Sequence, residues 1–401
     1  MAAGFVKKLS WRVEACGHSL VAAFMQILPA EDVFGLGELI GKALWPLVNL
    51  RRRVIVRNLR VACAPLDPVA ADQMARESFI RTVANLLSSS VSANAMGGKI
   101  EEMLSVENPE ILEQAIAEGR GVVILLAHMG NWELLTRLNH FFPKGTKSGA
   151  FYRPLNNLIL NERVLKMREA DGTRLFSKRD SLHQVGGFLR DNGVIGILAD
   201  QRVGAQGEVV RFFGRLTRVS PLPSLLVRRC KSEVLALSLR TVAPGKWSAR
   251  YHQVEKPYHS ENCMKALEGA MKVSLLDVFW LQERWKVYLK KRITPKKWIG
   301  KEGVRGEKPH RAVFWLGPDE EPPELQDDFL HVDIDWDFVS GKHPQELEEI
   351  DRSKPLPIDF IISSRRNNEL IRAGRGLGIP VVSLSSYLNT PPKGRRVKLR
   401  S

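Results

Sequence analysis

A chain of 401 residues, 44% hydrophobic and 26% charged, has the composition of a folded, cored protein of at most two or three domains. Its formal net charge of +16 calls for anionic partners, whether nucleic acid, acidic protein or anionic lipid. Yet no zinc-finger spacing, aromatic RNA-binding signature or helix-turn-helix pattern supports nucleic acid, and four scattered cysteines without a CxxC pair argue against a disulfide framework or zinc site.

The charge is uneven. From Gly306 onward there are about 14 basic and 16 acidic side chains, so the preceding part carries about +18. The N-terminal apolar run Ser19–Leu28 stops at Pro29, too short for a spanning helix and without a signal-peptide cleavage site. A second run, Val33 to Leu50, is broken by Glu38, Lys42 and Pro46 and leads into Arg51-Arg52-Arg53. Short apolar helices followed by a basic cluster read either as an interfacial anchor on anionic lipid or as amphipathic core helices with a solvated basic end.

Residues from about Leu9 to Met103 are expected to be helical, and a short helix over Ile111–Glu118 ends at Gly119. Gly121 to Ala127 then forms a continuous apolar run with β-branched residues, the pattern of a strand buried on both faces. A helix over Asn131–His140 follows, with Asn131 as N-cap. Gly193–Ala199 is a second buried strand, Ser220–Arg229 a helix, Ser232–Leu239 a third strand and Leu275–Leu289 a helix. This alternation predicts an α/β sheet with covered faces. The Lys-, Arg-, Gly- and Pro-rich stretch from Lys290 to Pro309 reads as a linker. Beyond it, strands at Ala312–Leu316, His331–Trp336, Ile358–Ser363 and Pro380–Leu384 and a helix at Asn367–Gly374 form a small appendage. The expected domains are 1–105, 106–292, a linker at 293–310 and 311–401.

The strongest chemical signal is Ala127-His128-Met129-Gly130-Asn131-Trp132-Glu133. His128 directly follows a buried strand, and the carboxyl ends of strands in open α/β sheets are where sites form. On one unbroken helix, residues five apart point about 140° away from each other. A strand–turn–helix break at Gly130 removes that obstacle and lets Glu133 return to hydrogen-bond His128. A neutral imidazole can then take the proton of a hydroxyl attacking a thioester, while a carboxylate fixes its tautomer. The plainer alternative is a packed histidine at a strand end, with Glu133 favouring the helix dipole.

With these residues the sequence resembles the bacterial lipid A biosynthesis acyltransferases, the late lauroyl and myristoyl transferases, within the lysophospholipid acyltransferase-like group. The resemblance runs from about Ile27 to Lys291. It rests on Ile27-Leu28-Pro29, Arg51-Arg52-Arg53 and Asn58-Leu59, then His128 to Glu133 as the family's His-x4-Asp/Glu motif. Tyr152 to Asn157, Ala199-Asp200-Gln201, Phe212-Phe213-Gly214 and the segment around Arg284-Trp285-Lys286 follow in order. Ordered motifs over such a length are specific, where His-x4-Glu alone is weak. The resemblance implies His128 as general base with Glu133 as partner. It implies substrate-binding roles for Arg168 and for Arg153, which neutralise a phosphorylated glycolipid or the oxyanion. Asn131 joins the expected substrate-binding set. So does Asp200, which closes the second buried strand and can orient an arginine or bind substrate hydroxyls.

The implied reaction needs no cofactor and no metal. It moves a fatty acyl chain from an acyl carrier protein thioester, or acyl coenzyme A, to the hydroxyl of a lipid A precursor at the cytoplasmic face of the inner membrane. Acylation of another glycolipid or aminolipid, and a non-catalytic lipid-binding scaffold, stand as alternatives. The expected fold is α/β: a helical membrane-associated N-terminal region, a central acyltransferase sheet with covering helices and a C-terminal α/β appendage. His331, Asp333, Asp335 and Asp337 alternate on one strand face, which can bind a divalent cation or form an acidic solvated face.

Overall fold

A computed structural model describes residues 2–92, 95, 98–177, 180–204, 206–285, 305–321 and 333–385. Helices α1 (Ala2–Met25), α2 (Ala30–Leu44), α3 (Asn49–Ala62), α4 (Pro68–Ser92) and α5 (Gly98–Met103) fill the first hundred residues, as expected. Strands and helices then alternate: β1 (Leu104–Val106), α6 (Pro109–Ala117), β2 (Val122–Leu126), β3 (Ser148–Phe151), α7 (Leu158–Glu169), β4 (Arg174–Phe176), α8 (Leu182–Arg190) and β5 (Val194–Leu198). After them come β6 (Glu208–Phe212), β7 (Arg215–Val219), α9 (Leu222–Cys230), β8 (Glu233–Ala243), β9 (Lys246–Gln253) and α10 (Ser260–Lys272). The last elements are β10 (His310–Leu316), β11 (Ile334–Ser340), α11 (Leu347–Arg352), β12 (Ile358–Ser363), α12 (Asn368–Leu377) and β13 (Val381–Ser383). The fold is mixed α/β.

Two compact units interleave along the sequence. One comprises Met1–Leu47, Glu77–Asp200 and Pro221–Phe279; the other comprises Val48–Arg76, Gln201–Ser220 and Trp280–Ser401. In the first, seven strands pair in the order β1-β9-β8-β2-β5-β3-β4, all parallel except the β8–β9 pair. β2 is central, and every residue of Val122–Leu126 is buried, because a parallel strand covered by helices on both faces has no solvated side. Just before it, Gly121 has φ +72°, and a β-carbon there would meet the Leu189 carbonyl oxygen at 2.2 Å. Only glycine fits that entry to the strand.

Two expected helices take other forms. The stretch expected as a helix from Asn131 is a 3-10 helix over Trp132–Phe141. Asn131 occupies the cap position, but its side chain makes no cap bond and donates to Ser92 Oγ at 3.0 Å. The expected helix at Leu275–Leu289 is a short 3-10 turn, Leu275–Asp277, followed by an extended bridge at Val278. There Phe279 N–H donates to the His128 carbonyl, and Gly130 N–H donates to the Asp277 carbonyl. The loop after β2 is thus pinned by backbone pairing, which a helix could not supply. Residues 286–289 lie outside the described set, as do most of the expected linker and His331.

In the second unit, four parallel strands pair in the order β11-β10-β12-β13. One face packs Val313, Trp315, Ile358 and Ile361 against Leu347 and Leu370 of α11 and α12. The other face packs Ala312, Phe314, Phe360 and Ile362 against Leu216 of the antiparallel β6–β7 hairpin. The hairpin also brings its cation inside. Arg215 is fully buried, with Nη1 3.0–3.1 Å from both Asp359 oxygens and its other nitrogens on the Lys308 and Pro309 carbonyls. Helix α3 adds Arg57 to the same Asp359 and pairs Arg60 with Asp351. Of the alternating acidic residues, Asp337 is taken by Arg311 and Lys354, and Asp333 accepts from Gly306 N–H. Phe212 and Phe213 pack edge-on to each other beside Trp285, with ring centroids 6.3 and 6.2 Å from it.

Candidate active site

β2 and β5 are parallel neighbours with Leu126 opposite Leu198. The pairing runs one step further, Ala199 N–H donating to the Leu126 carbonyl at 2.9 Å. His128 and Asp200 each stand two residues beyond that aligned pair, and residues two apart on a strand share a face. The two side chains therefore meet: His128 Nδ1 lies 2.7 Å from Asp200 Oδ1, and the carboxylate is buried. An Nδ1–H directed to a carboxylate leaves Nε2 as the basic nitrogen. The ring is flanked edge-on by Trp132 at 5.5 Å, and Trp132 in turn meets Phe279 at 5.4 Å.

Glu133 stands in the first turn after Gly130, whose φ is +55° and where a β-carbon would lie 2.7 Å from the Leu239 carbonyl oxygen. The expectation was a bond from Glu133 back to the imidazole. The partner its carboxylate meets is Arg168, at the end of α7, in a bidentate pair of 3.0 and 2.7 Å. The carboxylate on Nδ1 belongs to Asp200. The rigid strand ends deliver Asp200 in register, while the 3-10 turn carries Glu133 towards α7.

His128, Glu133, Arg153 and Arg168 line one cavity of about 240 Å³. Its floor comes from one face of the sheet: Ile124 and Leu126 of β2, and Val194, Gly196 and Leu198 of β5. The cavity is apolar along the strands and charged at its mouth, where Arg153 is exposed. At somewhat under the roughly 300 Å³ of the smallest drug-sized sites, it suits a segment of alkyl chain with a polar end rather than a whole glycolipid. Asn131 is buried on Ser92 and is not among the cavity residues. Trp132, Phe279 and Gly196 were not anticipated. The alternation of Ile124, Leu126 and His128 with Val194, Gly196, Leu198 and Asp200 is the signal that marks the shared face. Among the described residues no group of three or more histidine, cysteine or carboxylate side chains is placed to hold a metal.

The family described as bacterial lipid A biosynthesis acyltransferase matches residues 5–287. Among curated proteins, the chain is similar to a phosphatidylinositol mannoside acyltransferase from Mycolicibacterium smegmatis (strain ATCC 700084 / mc(2)155). The two are 29% identical over 220 residues, covering 53% of this chain and 68% of that protein.

Proposed function

From the premise that this chain belongs to the family of bacterial lipid A biosynthesis acyltransferases, we propose that it transfers a fatty acyl chain from a thioester to a hydroxyl of a glycolipid with His128 as general base. The chain is an acyltransferase, with an acyl donor and a lipid acceptor. The observation that carries the catalytic assignment is the buried Asp200 carboxylate 2.7 Å from Nδ1 of His128, whose side chain lines the cavity. Nε2 takes the acceptor hydroxyl proton as its oxygen attacks the thioester carbonyl. The carbon–sulfur bond then breaks, and the proton passes to the departing thiolate. Asp200 holds the tautomer and stabilises the imidazolium. The Glu133–Arg168 pair fixes one wall, and the exposed Arg153 meets phosphate on the acceptor or the thioester side.

The acceptor we favour is a lipid A precursor and the donor an acyl carrier protein thioester, whose acidic carrier suits a net charge of +16. Acyl coenzyme A as donor and a mannosylated phosphatidylinositol as acceptor form the second reading; the relative from Mycolicibacterium smegmatis, a phosphatidylinositol mannoside acyltransferase, supports the acceptor. A membrane-surface location, at the cytoplasmic face of the inner membrane, is supported by large apolar side chains exposed on and beside α1 and α2: Leu20, Phe24, Ile27, Leu39 and Leu47. Among the described residues no single helix is long and apolar enough to cross a membrane.

The test is acyl transfer in detergent micelles from labelled carrier-protein and coenzyme A thioesters to both acceptors. His128→Ala should lower transfer about 10²–10⁴-fold, the range for a lost general base; undiminished transfer would sink the mechanism. A second expectation concerns chain length. A β-carbon at Gly196 would lie 2.9 Å from Leu126 Cδ1, so a larger side chain must fill the cavity. Gly196→Leu should shift preference towards shorter donors about tenfold, an overpacking cost of about 1.4 kcal/mol. Equal rates across a donor series of increasing length would place the acyl chain elsewhere.

A further inference from the structure

The second unit contains a cavity of about 560 Å³ whose chemistry the acyl-transfer reading does not use. One side is a helix face, since Leu50, Arg51, Arg53, Val54, Arg57 and Val61 of α3 line it at helical spacing. Arg57 is engaged by the Ile358 carbonyl and Asp359. Arg51 and Arg53 have only long contacts of 3.4 Å, to the Leu281 and Arg375 carbonyls, and neither has a carboxylate partner among the described residues. The lining carboxylates are Asp359, already held by Arg215 and Arg57, and Glu283.

Arg53 and Arg57 stand four apart on one helix, where like charges repel. Arg51 is exposed and Arg53 half-buried, so both guanidinium groups are open to a ligand that enters the cavity. Trp285, at 6% exposure, closes one side of it. The open cations are met by one ligand that is anionic and accepts several hydrogen bonds.

We propose that this cavity binds a phosphomonoester, with Arg51 and Arg53 on the phosphate oxygens and Arg57 beside them. Guanidinium groups match phosphate bidentately, and a tetrahedral dianion accepts from all of these donors at once. The volume lies in the usual range of small-molecule sites, with room for the glycerol or sugar that bears the phosphate. Leu50, Val54 and Val61 supply an apolar wall beside it.

The test uses the full-length protein in phosphate-free buffer. Titration calorimetry with sn-glycerol 3-phosphate reads soluble binding. Co-sedimentation with phosphatidylcholine vesicles, with and without phosphatidic acid, reads the same group on a lipid. The expected result is one saturable site in at least one arm. The double variant Arg51→Gln/Arg53→Gln should weaken it by about 30-fold or more, the scale of two lost charge-assisted bonds. Arg53→Lys, which keeps the charge but loses the bidentate fork, should weaken it about five- to tenfold. Arg52→Gln, on the neighbouring face against Asp72, should leave it unchanged. Binding in the calorimeter assigns a soluble phosphate ester. Binding only to phosphatidic acid vesicles, lost in the double variant, assigns a lipid headgroup. No saturable binding in either arm, or a double variant that binds as well as the wild type, overturns the proposal. Should the double variant fail to fold, unchanged binding by Arg53→Lys overturns it equally.

Discussion

Asp200→Asn should lower acyl transfer about 10³–10⁴-fold while leaving the fold intact, and Glu133→Gln should cost much less. The asymmetry follows from which atoms meet. Asp200 faces Nδ1 at 2.7 Å, so an amide in its place can donate to that nitrogen and drive the proton to Nε2. The base is then in the wrong tautomer, and substitutions of this kind in other His–carboxylate pairs cost about 10⁴. Glu133 acts through Arg168. Its amide keeps one acceptor oxygen but loses the charge-assisted bidentate pair, so the wall loosens by about 1.5–3 kcal/mol at most. That loss should fall mainly on KM for the acceptor. Single-turnover rates on both variants, with circular dichroism as the fold control, check the order. The reverse order would return the partner role to Glu133.

The largest stability effect should come from Arg215→Met, a loss of about 3–5 kcal/mol, the cost of removing one member of a buried ion pair. Asp359 would remain buried with Arg57 at 3.2 Å as its remaining guanidinium and the His310 ring at 3.3 Å, and the Lys308 and Pro309 carbonyls would lose their donors. The same cluster predicts an acid response. Burial pushes the Asp359 carboxyl up, but Arg215, His310 and Arg57 outweigh it and hold the group well below the ordinary carboxylate range. A depressed folded-state value means that the stabilisation is complete above about pH 4, the unfolded value, and declines as the pH falls below it. Denaturant unfolding between pH 5 and 3 should therefore be steeper in wild type than in Asp359→Asn. Parallel curves would show that the pair contributes no linkage.

Much of the site is readable in the sequence because strands carry their own ruler. Gly121 to His128 and Gly193 to Asp200 are equal steps, each through an unbroken apolar run. Once the two strands pair in register, the imidazole and the carboxylate must be neighbours. The bidentate Arg168–Glu133 contact is different. It depends on where α7 lies against a 3-10 turn, and local pattern does not encode that distance. The helix periodicity of Trp132–Phe141 was real, yet the backbone winds tighter, with Arg137 and Asn139 both bound to Asp171. β6 and β7 are not marked by the sequence, because Arg211, Arg215 and Arg218 interrupt the apolar pattern that identifies the other strands. Arg215 buries its charge against a carboxylate 144 positions along the chain.

That hairpin also sets a schedule for synthesis. β7 ends at Val219, while the strand carrying Asp359 ends at Ser363. At about 5–20 residues per second, the ribosome delivers the hairpin roughly 7–30 s before its sheet exists. During that interval Leu216 has no apolar face to meet and Arg215 no counter-charge. The unit cannot assemble in the order in which it emerges. Its first pieces must be held open until nearly the last have been made, so translation speed through residues 220–360 and the supply of holding chaperones bear directly on yield.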